Sequence, residues 1–229
     1  MNLASIPQSI GIIMDGNRRW AKERNLSTLD GHRAGYEKLK EVVRWASKAG
    51  VKYVTVFAFS TENWLRDKKE VSYLMDLFSW VLENEIAEIH KENIKMRYIG
   101  DLSRLSPKLQ KLVASAEKKT GKNTGVTLVS AVSYGGRKEI VDAVNVLRAK
   151  KTKGDITEAD FSKALYTHDI PDPDLIIRTS GEMRTSGFLP WQAVYSELFF
   201  VKTFWPAFSK AEFTDILKQF GARQRRLGR

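Results

Sequence analysis

Short apolar runs alternate with longer stretches of helical period along this chain. The runs Ile10–Met14, Tyr53–Phe59, Ile94–Ile99, Val126–Val132, Leu175–Ile177 and Leu198–Val201 have the length and content of buried strands. Between them, 33–48 carries Leu39, Val42, Val43 and Ala46 at helical spacing. The stretch 71–92 carries Leu74, Leu77, Phe78, Val81, Leu82, Ile86 and Ile89, and 138–149 carries Ile140, Val141, Val144 and Leu147. Strand–helix alternation predicts an α/β fold: a mostly parallel six-stranded central sheet flanked by helices on both faces. Apolar residues cover more than one stripe of 71–92. That helix is either a well-buried core helix or a wall of an apolar tunnel, and spacing fits both.

Composition narrows the picture. The 229 residues, 42% hydrophobic and without a linker, low-complexity tract or repeat, predict a single domain, 1–229. Zero cysteines exclude disulfides, thiolate metal sites and cysteine nucleophiles. No run is long enough to span a membrane, and Met1–Pro7 lacks the pattern of a signal peptide, so a cytoplasmic protein is expected. A net charge of +11 calls for an anionic partner or a solvated basic surface. Nucleic acid, anionic lipid and diphosphates all qualify as the partner. Part of the excess sits in the tail Arg223–Arg229.

In parallel sheets, ligands bind beyond the carboxyl ends of the strands, and the polar motifs of this chain fall there. After the first run comes Asp15-Gly16-Asn17-Arg18-Arg19-Trp20. A strand turning into a helix there aims free N–H groups at an anion, glycine permits close approach, and arginines add charge-assisted donors. Asp15 would repel a bare phosphate, which points to a bridging Mg²⁺. The plainer alternative is that Asp15 or Asn17 caps the helix. After the second run, Ser60, Asn63 and Arg66 could position a reacting group and a phosphate, although Ser60-Thr61-Glu62-Asn63 is also ordinary helix-start chemistry. Ser133-Tyr134-Gly135-Gly136-Arg137 is a tight bend. Arg178 and Arg184, with hydroxyls and a glycine between them, make a diphosphate clamp. Glu197 is a metal ligand or an arginine partner. His32, before a helix, could touch phosphate or shuttle a proton, whereas His90 and His168 read as structural or exposed. The set describes a site for two phosphorylated ligands and one metal, with no Walker loop, dinucleotide fingerprint or Ser–His–Asp spacing.

These motifs, in this order, resemble the cis-prenyltransferase family, from about Ile10 to Gly228. The likeness rests on Met14-Asp15-Gly16-Asn17, Phe59-Ser60-Thr61-Glu62-Asn63-Trp64, Tyr134-Gly135-Gly136-Arg137, Arg178-Thr179-Ser180-Gly181-Glu182 and Trp191…Tyr195-Ser196-Glu197-Leu198. It implies sequential condensation of isopentenyl diphosphate onto an allylic diphosphate, such as farnesyl diphosphate, with cis double bonds and an undecaprenyl-type product. It implies Mg²⁺ at Asp15 and Glu197, and an allylic diphosphate cradled by Gly16–Arg19 with Trp20, His32, Trp64 and Arg66. Isopentenyl diphosphate falls to Arg178, Arg184 and Ser186. Proton removal falls to Asn63 with Ser60 and His32. A homodimer or a heterodimer is implied, the homodimer being the expectation here, with Arg226-Leu227-Gly228 matching the element that reaches the partner's site. Each five-carbon unit would bury about 4 kcal/mol of apolar surface, at roughly 0.8 kcal/mol per CH₂. A long product would therefore leave slowly, aided by transient contact with a membrane surface.

Several positions depart from the family's usual residues: Arg18, Thr28, Ser133, Met183 and Gly187. Small Ala58, on the strand entering the tunnel, fits a medium or long product. Two other readings compete. A non-catalytic partner subunit would typically lack Asp15 and the diphosphate ligands, which are present. A nucleic-acid binder would carry its basic residues along one face with exposed aromatics, whereas here they follow strands and sit beside acids.

Overall fold

Strands buried on both sides place two cores on opposite faces of one sheet. In the computed structural model, which describes residues 6–150 and 154–223, the strands are β1 (Ser9–Ile13), β2 (Tyr53–Ser60), β3 (Lys95–Ile99), β4 (Thr127–Tyr134), β5 (Leu175–Arg178) and β6 (Glu197–Phe200). Their order is β3-β4-β2-β1-β5-β6, and all five neighbouring pairs are parallel, so the sheet is wholly rather than mostly parallel. Ile10, Ile12, Val54, Val56, Leu175 and Ile177 face the larger core. Ile13, Val129, Ala131 and Ile176 face the smaller one with Phe188 and Leu189.

The helices are α1 (Asn17–Lys22), α2 (Thr28–Ala49), α3 (Lys68–Asn84), α4 (Ile86–Lys91), α5 (Pro107–Thr120), α6 (Gly136–Ala149), α7 (Glu158–Ser162) and α8 (Lys210–Ala222). Three findings correct or extend the sequence reading. The helix expected from 33 begins at Thr28, because Ser27 and Asp30 form a reciprocal capping box; His32 therefore lies inside α2 rather than ahead of it. The single helix expected over 71–92 is two, interrupted at Glu85, where the Asn84 side chain donates to the Trp80 carbonyl (2.8 Å) that the helical ladder would otherwise use alone. The pattern also left out α5 and α8, whose starts are marked by Ser106-Pro107 and by a Ser209–Glu212 capping box.

Glycines set the closest approach in the molecule's working end. A Cβ at Gly31 would lie 2.3 Å from the Asn17 carbonyl oxygen, and one at Gly35 would lie 2.5 Å from Asn17 Oδ1. Only their absence lets α1 pack directly on α2. Opposite, Trp205 is fully buried; its backbone N–H donates to the Asp15 carbonyl (3.0 Å) and its Nε1 to the Gly35 carbonyl (2.8 Å). The β1–α1 turn is thus gripped from both sides.

Candidate active site

The turn after β1 is shaped by Gly16. It caps α1 at φ 105°, and no side chain caps the helix, so neither Asp15 nor Asn17 serves that role. Asp15 is instead clamped. The Thr179 hydroxyl accepts its backbone N–H (3.0 Å) and donates to its carbonyl (2.6 Å). Arg178 donates to Oδ2 (2.8 Å) and Arg19 to Oδ1 (3.1 Å). Burial would raise this carboxyl's pKa, but the hydrogen bonds and charge of Arg178, then of Arg19, outweigh it and hold the pKa below the usual range. Asp15 is a carboxylate at neutral pH.

The two arginines tie the β1 turn to the loop after β5. Arg19 also donates to Ser180 Oγ (2.6 Å) and Glu182 Oε1 (3.2 Å). Arg178, nearly buried, donates to Ser186 Oγ (2.8 Å) and the Arg184 carbonyl, while its Nε is buried without a protein partner. Arg184 reaches outward and pairs with Glu182. The β5 loop thus brings Ser186 and the backbone of Arg184 to Arg178, while the Arg184 guanidinium turns to Glu182.

A second cluster stands across the cleft. Glu70 on α3 sits 3.1 Å from His32 Nε2, 2.9 Å from Arg66 NH1 and 3.8 Å from Arg18 NH1. The sequence reading missed this residue, although its i+4 spacing from Arg66 was a legible sign. Burial drives the His32 pKa down; Glu70 opposes this, and the charges of Arg66 and Arg18 add to it, leaving the ring neutral. The Glu70 contact fits the Nε2–H tautomer, which leaves Nδ1 as the acceptor. Thr179 and Ser180, expected as clamp hydroxyls, instead serve Asp15 and Arg19, and Glu182 is a further partner that the sequence reading assigned no role.

Two cavities meet here. A polar cleft of about 870 Å³ is lined by Asp15, Gly16, Arg18, Arg19, Asn63 and Arg66, with Thr28 at its edge. An apolar tunnel of about 190 Å³ runs between α2, α3 and the sheet. Met14, Asn17, His32, Ala58 and Leu74 line both, so the cleft opens into the tunnel. The break in register between Phe57 and Phe59 leaves Ala58 without a ladder partner and turns it into both spaces. Part of 71–92 is thus a tunnel wall.

Other expected site residues lie elsewhere. Trp20 does not line the cleft; its ring is covered by Arg24 at 4.6 Å. Trp64 is an anchor: its Nε1 donates to Ser133 Oγ (3.0 Å) and its ring packs edge-on against Phe59. Ser60 is outside the cleft lining, and its N–H donates to Asn63 Oδ1 (3.0 Å), so this pair performs the helix-start role. Ser133 holds φ 50°, in the left-handed region. Glu197 is displaced most. It opens β6, in register with Leu175 and hence with Ile10, about 15 Å down the strand direction from Asp15. It pairs with Arg223, and one chain cannot bring Asp15 and Glu197 to one metal. Among the described residues, no group of three or more His, Asp or Glu forms a metal cage. His90 and His168 are exposed. Arg226-Leu227-Gly228 lies outside the described residues.

An arginine-lined, partly acidic cleft at the carboxyl end of a parallel sheet, opening into an apolar tunnel, defines a protein for molecules with a phosphorylated head and a hydrocarbon tail. The comparisons with known proteins agree. The Prenyltransf family model, undecaprenyl diphosphate synthase, matches residues 13–228. An isoprenyl transferase of Thermotoga maritima is 46% identical over 97% of each chain. The Micrococcus luteus ditrans,polycis-undecaprenyl-diphosphate synthase, specific for (2E,6E)-farnesyl diphosphate, is 45% identical over 100% of this chain and 94% of that one. Among solved structures, the lavandulyl diphosphate synthase of Lavandula x intermedia, in complex with dimethylallyl diphosphate, superposes with a TM-score of 0.94 at 36% identity, covering 99% and 100% of the two chains. This chain belongs to the undecaprenyl diphosphate synthase family of cis-prenyltransferases.

Proposed function

We propose that this chain condenses isopentenyl diphosphate repeatedly onto an allylic diphosphate such as farnesyl diphosphate, making a cis-polyprenyl diphosphate of the undecaprenyl type. One observation carries the reading: the charged cleft and the apolar tunnel share five lining residues, so a charged head and a growing tail have adjoining places. Arg19 and Arg66 hold the allylic diphosphate, with the tail entering past His32 and Ala58. Arg178, Ser186 and Arg184 hold isopentenyl diphosphate, and the partnerless Nε of Arg178 suits a further anionic oxygen. As the allylic C–O bond breaks and the new C–C bond forms, negative charge grows on the departing diphosphate, where the arginines stabilise it. Neutral His32, with Asn63 in the cleft lining, serves the loss of the proton.

The donor set suits Mg²⁺ shared with substrate oxygens rather than a protein cage, because among the described residues Asp15 is the one carboxylate lining the cleft. When bound by Asp15, the ion would supply charge neutralisation at the diphosphates. Homodimer formation has support at the sheet edge, where β6 pairs on one side only and Val194, Tyr195 and Leu198 stand exposed beside it. A cytoplasmic protein that touches the membrane surface transiently fits the absence, among the described residues, of any helix long and apolar enough to cross it.

The test is incubation with farnesyl diphosphate and labelled isopentenyl diphosphate, with Mg²⁺ or with EDTA, and sizing of the extracted products. A Mg²⁺-dependent polyprenyl ladder is expected. No product with any of several primers, with detergent present, would favour the partner-subunit reading.

A further inference from the structure

The far end of the tunnel is lined by charge. Along α2 the lining runs from His32 at the cleft to Arg44, twelve residues on. At 1.5 Å per residue that is about 18 Å. Apolar Leu39, Val43, Phe78 and Val81 line the middle, but the far end is built by Lys40 and Arg44 of α2 facing Glu85, Glu88 and Glu92 around α4. Lys40 Nζ lies 3.5 Å from Glu85 Oε2, and Arg44 Nε lies 3.0 Å from both carboxylate oxygens of Glu92. These pairs join α2 to the α3–α4 region across the tunnel, and Glu85 is the residue at which that helix breaks.

A five-carbon unit adds four chain bonds of about 1.5 Å and advances roughly 4–5 Å when extended. The stretch of tunnel from His32 to Arg44 is therefore about four extended units long. A longer chain must leave it while its head is still held. Its tip then meets partly exposed ion pairs, which are weak ties, at a broken helix.

We propose that the Lys40–Glu85 and Arg44–Glu92 pairs are an exit latch, and that a chain longer than the tunnel passes out between α2 and α4 by parting them. The proposal rests on the polyprenyl-synthase reading above and adds how product length is permitted. The absence of cysteine permits a clean test. In the Arg44→Cys/Glu92→Cys variant, a short bis-methanethiosulfonate bridge would lock the latch and reductant would free it; each single-cysteine variant, treated alike, is the control. Products from farnesyl diphosphate and labelled isopentenyl diphosphate are sized for the parent, bridged and freed forms. The initial rate of the first condensation reports that the bridged enzyme is folded and active.

The expected result is a long ladder from the parent and the freed variant, and truncation at about four to five units in the bridged form with the first condensation retained. Equal product length with and without the bridge would overturn the latch. So would a parent whose own products stop at the tunnel's length, because the pairs would then be an end wall. A parent that makes no polyprenyl product at all would instead remove the enzymatic reading, and this inference with it.

Discussion

Substituting Gly31 by alanine tests whether the α1–α2 contact, rather than either helix alone, sets the diphosphate site. A Cβ there would lie 2.3 Å from the Asn17 carbonyl oxygen, whereas ordinary contact begins at 3.4 Å. The difference, 3.4 − 2.3 = 1.1 Å, must come from backbone, because the obstructing atom is a main-chain carbonyl. Alanine inside a helix gains about 1 kcal/mol over glycine, while overpacking costs about 1–3 kcal/mol. The net loss of stability should therefore be no more than about 2 kcal/mol, and the protein should stay folded. The displaced element is α1, which carries Arg18 and Arg19. A displacement of about 1 Å of a positioning group can reduce turnover about a hundredfold, or about 2.7 kcal/mol of transition-state stabilisation. Urea unfolding should show the small loss, and steady-state kinetics should show kcat/KM for the allylic diphosphate down by about that factor. The KM for isopentenyl diphosphate should hardly move, because Arg178 and Ser186 come from β5 and its loop. A folded variant with parental kinetics would refute the idea that this close approach places α1 for catalysis.

Other perturbations separate the remaining roles. Asp15→Ala should abolish most turnover while circular dichroism stays native; near-parental activity over a Mg²⁺ titration would remove its metal role. Arg184→Ala should raise the KM for isopentenyl diphosphate more than that for the allylic substrate, since its guanidinium projects from the β5 loop and pairs with Glu182; equal rises would undo the assignment of two sides. His32 has a folded pKa below its ordinary 6.5, so the stability its neutral form contributes is complete above pH 6.5 and is lost as pH falls from there through the folded value. The unfolding free energy of the parent minus that of His32→Gln should accordingly fall below pH 6.5, by at most about 1.4 kcal/mol per pH unit; parallel curves would show that the ring is not buried neutral.

What the sequence by itself determined was local. Apolar runs of strand length, separated by helical periods, determine a parallel α/β sheet, because buried parallel strands need unbroken apolar faces and crossover helices. Asp15 and the arginines were legible because charged residues placed after strands have few structural uses, whereas Ser186 was picked out only by the family resemblance. Tertiary structure decided everything that depends on distance between elements. Glu70 joins His32, Arg66 and Arg18 from a different helix; only the Arg66 spoke, four positions away, is local, and no local pattern reveals the other two, 38 and 52 positions away in the chain. Trp20, Trp64 and Ser60 stand beside site residues in sequence yet are spent on packing or on a helix start, because neighbours along a strand or turn point to different sides. Glu197 looked like a second metal ligand by its motif, but strand direction puts it at the far end of the sheet. Whether 71–92 was core or tunnel wall was likewise undecidable from periodicity: an apolar face looks the same whether it meets another side chain or the space meant for a lipid tail, and only the separation of α2 from α3 tells them apart.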